Sequence, residues 1–157
     1  MQSLHTLNFN DFSPSEICNY LSDRYFVQVM HNFEVSKKYL TALYEENQDQ
    51  NIEWINNIFN ILYEETKHLF SKDKILLFPH MMAQNATGIN LEPVNEIHKR
   101  IIVLLNKIRN LMNNYVAQPN WSSVQKICCN ELYNLEQSLL YVLYIKENFI
   151  WTRSKNN

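Results

Sequence analysis

The chain has 157 residues, so it fits one domain that can bury a substantial core without disulfides or structural metal ions. It contains 1 glycine and 4 prolines, which leaves few positions for tight turns and predicts an all-α fold rather than a sheet. The formal net charge is -2, with acids and bases interspersed, so there is no broad electrostatic reason to bind nucleic acid or an anionic membrane.

The first predicted helix has a well-defined start. Ser13 supplies an N-cap, Pro14 a first-turn proline and Glu16 a capping-box acid, and the helix is expected to run to about Glu46. Its inward face is expected to contain apolar residues at helical spacing, namely Phe26, Val29, Phe33, Leu40 and Leu43.

The second predicted helix follows a polar turn at Asn47 to Asn51 and begins at about Ile52. It is expected to stop at Pro79, because a proline lacks the amide hydrogen that continues a helix. His80 to Asn90 then forms the longest predicted connection.

The third predicted helix opens at Glu92 and Pro93 and ends near Tyr115. The fourth is expected from about Ser122 to Arg153. Four helices with mostly short links predict an antiparallel up-and-down four-helix bundle.

The chain as a whole, residues 1–157, is expected to form this single domain and to reside in the cytoplasm. Its 3 cysteines, of which Cys128 and Cys129 are adjacent, do not make a disulfide framework. Residues 1–10 lack the basic and then apolar pattern of a signal peptide. Apolar runs such as Ile101 to Leu105 are too short to span a bilayer.

Three of the predicted inward faces contain an ionisable residue: Asp73 on the second helix, His98 on the third and Lys146 on the fourth. Each face advances by three or four residues, so these side chains are expected to point inward with their apolar neighbours. The three faces are Ile55, Ile58, Leu62, Leu69, Asp73 and Leu76; Val94, His98, Ile101, Leu105, Ile108 and Met112; and Leu135, Leu139, Val142, Lys146 and Phe149. Because an isolated charge is costly to bury, the three polar residues are expected to meet one another or a ligand.

Short motifs spread in order along the chain are similar to those of a known family. They are Tyr63-Glu64-Glu65, Lys72 to Pro79, Glu96-Ile97-His98, Ile108-Arg109, Asn113-Asn114-Tyr115, and Asn148 with Arg153. Over about residues 13–153 the chain thereby resembles the hemerythrin-like domain of the di-iron proteins that repair iron-sulfur clusters. The resemblance implies a bundle that holds two irons through a histidine on the first helix, a His-x-x-x-Glu pair on the second, a histidine on the third and another His-x-x-x-Glu pair on the fourth.

Only two of those positions retain a side chain that can ligate iron. Matched position by position, the third-helix ligand falls on His98 and the second-helix acid on Asp73. The other positions carry residues that do not ligate iron, namely Phe26, Leu69, Val142 and Lys146. A charged ammonium has no lone pair and repels a cation. We therefore expect Lys146 to replace the metal by pairing with Asp73 and contacting His98, while the three apolar residues fill the remaining volume.

Other interpretations of the same residues stay open at this point. His98 is better explained as a core histidine satisfied by a polar neighbour than as a ligand. Asp73 is alternatively a solvated surface acid, and Lys146 alternatively extends along the bundle into solvent. A one-residue shift of the alignment would place Glu147 at the acid position of the family.

The sequence favours a non-catalytic binding, regulatory or scaffold module that has lost di-iron chemistry and needs no cofactor. One alternative is a redox or iron-sulfur cluster repair protein with an altered iron site at Asp73 and His98. Another is a small-molecule sensor with a core cavity bordered by Phe26, Leu69 and Val142.

The expected partner is a second copy of the chain or another protein, rather than nucleic acid or a membrane. Long amphipathic bundles often leave an extra apolar stripe for such contacts. The candidate stripe here consists of aromatic residues, namely Trp54, Phe59, Tyr133 and Tyr141.

Overall fold

Four long helices and no strand make up the part of the chain that the structure, a computed structural model, describes: residues 8–83 and 88–151. Helix α1 comprises Pro14–Tyr20, a π-helical segment Leu21–Tyr25 and Phe26–Glu46. Helix α2 comprises Gln50–Lys72, a π-helical segment Asp73–Leu77 and Phe78–Met82. Helix α3 is Glu92–Leu111, and α4 comprises Ser123–Ile145 and a π-helical segment Lys146–Trp151. The all-α prediction is confirmed.

The predicted bounds of α1 are confirmed, and its cap is formed as expected. The hydroxyl of Ser13 accepts a hydrogen bond from the amide of Glu16 at 3.2 Å. Helix α2 begins slightly earlier than predicted, because Asp49 caps it. Arg153, one of the residues that carry the family resemblance and the predicted end of α4, lies outside the described residues, as do residues 1–7.

The predicted stop at Pro79 is wrong, because α2 continues to Met82. The π-helical segment Asp73–Leu77 ends just before Phe78, whose amide donates to the carbonyl of Asp73, five residues back. Pro79 then falls in the first turn of the Phe78–Met82 segment, where a missing amide hydrogen is tolerated.

Helix α3 ends at Leu111 rather than near Tyr115. The next turn, Asn113–Tyr115, is left-handed, with φ angles of 53°, 55° and 62°. Asparagine adopts this conformation more readily than most residues, so the Asn113-Asn114 pair can reverse the chain here without a glycine.

The inward faces predicted for α1 and α3 are confirmed, since every member is buried. The face of α2 departs from the prediction at two residues, the half-buried Ile58 and the exposed Leu76, and the face of α4 departs at Phe149. At Leu76 and Phe149 the buried position has moved to the next residue. Leu76 is 54% exposed and its neighbour Leu77 is fully buried; likewise Phe149 is half-buried and Ile150 fully buried. The cause is the same in both helices: a π-helical segment widens the turn, so the next inward position comes one residue later.

Helix α1 packs most closely on α4, and α2 on α3. Between α1 and α4, the amide of Asn32 donates to the hydroxyl of Ser138 at 2.9 Å, and the hydroxyl of Ser122 donates to the carboxylate of Glu46 at 3.0 Å. The first bond joins the middle of the two helices, and the second joins the end of α1 to the start of α4. No helix in the described residues combines the length and apolarity that a membrane span requires.

The predicted aromatic stripe is wrong at Phe59. That side chain is 2% exposed and packs edge-to-face on Phe33, with ring centroids 5.5 Å apart. Tyr141 is half-buried against Tyr25. Trp54 and Tyr133 are exposed, so two of the four aromatic residues lie at the surface.

Candidate functional site: a buried ionic cluster

Asp73, His98 and Lys146 lie together inside the bundle, each at most 1% exposed. They come from α2, α3 and α4 respectively, so the cluster links three helices. We call these three residues the ionic cluster.

Lys146 is the centre of the ionic cluster. Its Nζ lies 2.7 Å from Oδ2 of Asp73 and 2.7 Å from Nε2 of His98. The contact with Oδ2 has ion-pair distance but lies off the ideal hydrogen-bond angle, and Oδ1 has no hydrogen-bond partner among the described residues. The alternatives in which Asp73 is a surface acid and Lys146 extends into solvent are therefore wrong.

His98 is neutral, and its tautomer follows from its two neighbours. Since the ammonium of Lys146 can only donate, Nε2 must accept, and Nδ1–H then donates to Oε1 of Glu147 at 3.3 Å. Burial lowers the pKa of His98 to about 2, and the charge of Lys146 acts in the same direction. Trp151 covers the imidazole, with ring centroids 4.5 Å apart. Glu147 therefore contacts His98 from the edge of the ionic cluster. It does not lie at the centre, where a shifted alignment would have placed a ligand acid of the resembled family.

Burial and pairing act in opposite directions on the two charged residues. Burial raises the pKa of Asp73 to about 6, although the ammonium of Lys146 holds it down. Burial lowers the pKa of Lys146, and the carboxylate of Asp73 opposes that shift. The carboxylate of Asp73 and the ammonium of Lys146 are each the counter-charge that makes burial of the other tolerable.

Two of the π-helical segments begin at residues of the ionic cluster. Asp73 is the first residue of one and Lys146 the first residue of the other. The third such segment, Leu21–Tyr25, directly precedes Phe26 on α1. Because π-helical turns are rare and frequently occur at functional sites, their coincidence with the ionic cluster supports this end of the bundle as the candidate site.

The apolar residues that match ligand positions of the resembled family are all buried: Phe26 is 2% exposed, and Leu69 and Val142 are fully buried. Phe26 stacks on Phe70 at a centroid distance of 3.8 Å and an interplanar angle of 6°. An open groove of about 610 Å³ lies at the surface of α2 and α3 and is lined by Asn60, Ile61, Glu64, Glu65, His68 and Arg100. The region predicted for a sensor cavity thus holds stacked rings.

The residues at the centre do not fit a pair of iron ions. The atoms of Asp73 and His98 that could ligate a metal, Oδ2 and Nε2, both point at the ammonium of Lys146, which occupies the space between them. Across residues 8–83 and 88–151, no group of three or more His, Cys, Asp and Glu side chains is placed to hold a metal ion. Iron requires several carboxylate and imidazole ligands around an open position.

Comparison with protein-family models finds no match for the chain, and comparison with curated proteins finds none either.

A second ion pair, which the sequence analysis missed, joins α3 to α4. Glu136 is 1% exposed, and its Oε1 accepts hydrogen bonds from Nη2 of Arg109 at 2.7 Å and from Nε at 3.1 Å. These bonds raise the pKa of Arg109, whose side chain is 39% exposed. The sequence could have predicted that Glu136 is buried, because it lies in a series of buried residues at helical spacing, namely Leu132, Glu136, Leu139 and Leu143.

Replacing Glu136 with alanine is expected to lower the free energy of unfolding by about 1–2 kcal/mol, because Arg109 loses a charge-assisted bond but keeps access to water. Urea denaturation measures the change. The matched control is Glu96→Ala, which removes the partner of Lys99 in an exposed pair and is expected to cost less than about 0.5 kcal/mol. Equal effects of the two substitutions would show that the buried pair contributes nothing beyond a surface pair.

Proposed function

We propose that this chain is a hemerythrin-like bundle in which a lysine has taken the place of the iron centre, and that it works as a non-catalytic binding, regulatory or scaffold module. The observation that carries the proposal is the position of Nζ of Lys146, 2.7 Å from both Asp73 and His98. These are the two residues that match ligand positions of the resembled family.

The antiparallel up-and-down arrangement is part of the proposal, and contacts between neighbouring helices support it. Along α1 and α4, Asn32 meets Ser138, whereas Glu46, further along α1, meets Ser122 at the start of α4. Between α1 and α2, Phe26 meets Phe70, whereas Phe33, further along α1, meets Phe59, which lies earlier on α2. In both pairs of helices the residue numbers rise along one helix as they fall along its neighbour, which is the order of such a bundle.

The chemistry of the ionic cluster supports a role without catalysis. A general acid or base needs a pKa near the working pH and access to its substrate. His98 has a pKa of about 2, and all three members of the ionic cluster are shielded from solvent by the bundle. Buried ion pairs of this kind are retained in some proteins because they fix how helices align rather than because they add stability. We therefore assign the cluster the task of fixing the alignment of α2, α3 and α4.

The proposed partner is a second copy of the chain or another protein, for which exposed aromatic residues such as Trp54 and Tyr133 offer contact area. The proposed location is the cytoplasm. Cys18, Cys128 and Cys129 are free and buried, and burial raises the pKa of Cys18 and of Cys128 to about 12. Thiols of this kind are unreactive, as expected of packing residues.

The proposal predicts that the protein expressed with abundant iron contains no stoichiometric iron. A variant that restores the ligand pattern of the family is expected to gain iron together with the visible absorption of an oxo-bridged pair, because it replaces the ammonium and the apolar side chains with ligands. That variant combines Phe26→His, Leu69→His, Asp73→Glu, Val142→His and Lys146→Glu. Iron quantification and absorption spectroscopy provide the measurement.

The matched control is Lys146→Met, which removes the ammonium without adding a ligand and is expected to remain free of iron. Stoichiometric iron with an oxo-bridge spectrum in the unmodified protein would favour the alternative, a redox or cluster repair protein that uses Asp73 and His98. The sensor alternative finds less support, because Phe26 is already stacked on Phe70 where the small molecule would bind.

A further inference from the structure

The three π-helical segments share a pattern: the first residue of each segment and the residue five positions later are both buried. The pairs are Leu21 with Phe26, Asp73 with Phe78, and Lys146 with Trp151. In an α-helix, residues five apart point about 140° away from each other. The π-helical turns therefore bring one aromatic side chain per helix onto the inward face.

The aromatic residues on α2 and α4 cover the end of the bundle that holds the ionic cluster. Trp151 lies over the imidazole of His98, and Phe78 stacks on Phe26 at 5.8 Å. If α4 were α-helical throughout, Trp151 would turn toward solvent. The inward positions would then include Phe149, which lies three residues after Lys146 and is now half-buried. Helix α2 lacks this alternative, because an α-helical turn in place of Asp73–Leu77 would set the ring of Pro79 against the carbonyl of Ile75.

The sequence thus supplies apolar side chains for two alternative windings of the end of α4. A π-helical turn is disfavoured relative to an α-helical one and persists where tertiary contacts stabilise it. The contact common to α2 and α4 is the ion pair between Asp73 and Lys146, which are the first residues of the two segments.

We propose that this ion pair holds the end of α4 in its π-helical winding, and that its loss lets that end rewind into α-helix, which turns Trp151 outward and uncovers His98. The bundle thereby contains a two-state device at one end. The inference goes beyond the proposed function and does not depend on the family resemblance, because it uses only the winding of the helices and the ion pair.

The test removes both charges while keeping apolar volume, with Asp73→Leu and Lys146→Met together. A parent protein carrying Trp54→Phe and Trp121→Phe leaves Trp151 as the only tryptophan, and acrylamide quenching of its fluorescence reports its exposure. We expect a several-fold larger quenching constant in the charge-free variant than in the parent. An unchanged quenching constant in a folded variant would overturn the proposal.

Amide hydrogen exchange supplies the matched internal control. The amide of Phe26 donates to Leu21 across a π-helical turn that has no ion pair. Exchange of the amides in the Lys146–Trp151 segment is expected to accelerate several-fold in the charge-free variant, whereas exchange at Phe26 stays unchanged. Equal acceleration in the segment and at Phe26 would indicate general loosening and overturn the proposal.

A measurement on the unmodified protein decides the matter if the variant does not fold. Native-state exchange under increasing denaturant should reveal one opening, below global unfolding, that exposes the amides of the Lys146–Trp151 segment together. If these amides exchange only through global unfolding, or through separate openings, the proposal is overturned.

Discussion

Lys146→Met is expected to lower the free energy of unfolding by about 3–5 kcal/mol, because it leaves the carboxylate of Asp73 buried without a counter-charge. Adding Asp73→Leu to the same chain is expected to restore most of that loss, since the double variant has no charge left to compensate. Urea denaturation of the two single variants and the double variant at neutral pH yields the coupling free energy directly.

Lys99→Met is the matched control, because Lys99 forms an ion pair with Glu96 at the surface. Its effect is expected to stay within about 0.5 kcal/mol. A double variant whose loss of stability equals the sum of the two single losses would overturn this prediction, since the two residues would then contribute independently.

His98 is expected to make the protein less stable as the pH falls. The pKa of its imidazole is 6.5 when unfolded and about 2 when folded, so between these values the unfolded chain binds a proton that the folded protein rejects. The stabilising contribution of His98 is therefore fully present above pH 6.5 and is lost as the pH falls toward 2. The slope is at most about 1.4 kcal/mol per pH unit.

Asp73 has the opposite sign in part of this range, because folding raises its pKa from 3.8 to about 6. Between these values the folded protein holds a proton that the unfolded chain releases, so the contribution of Asp73 falls as the pH rises. The two effects offset each other in the unmodified protein. Only a comparison with a variant that lacks the imidazole isolates His98.

The comparison is between the unmodified protein and His98→Asn, which keeps a polar side chain but does not titrate. The difference in their free energies of unfolding is expected to shrink as the pH falls from 6.5 toward about 4. Denaturation in urea at a series of pH values provides the measurement. A difference that stays constant over this range would show that the imidazole is not protected from protonation in the folded state.

The inward faces of α1 and α3 could be predicted because their apolar residues follow one helical period without ambiguity. The meeting of three ionisable residues could be anticipated for the same reason, since each lay in such a face. The π-helical turns could not be predicted from the sequence, because adjacent apolar residues obscure the change of helical period. Leu76 and Leu77 form one such pair, and either member is suitable for the core.

The spacing of apolar residues also could not predict contacts that depend on how two helices pack against each other. Arg109 and Glu136 lie 27 residues apart on different helices, and only their packing brings them together. Glu147 and Trp151 reach His98 because the last segment of α4 is π-helical. The end of α3 at Leu111 rests on a left-handed turn built without glycine, which apolar periodicity does not reveal.

We propose that an ammonium occupies the place of iron in this bundle. A crystal structure of protein prepared with abundant iron tests this proposal. Diffraction data collected at the iron absorption edge would distinguish the two possibilities. We predict no anomalous peak inside the bundle and Nζ of Lys146 within hydrogen-bond distance of Asp73 and His98. Anomalous peaks for two irons bridged between the helices, or Nζ of Lys146 in solvent, would contradict the claim.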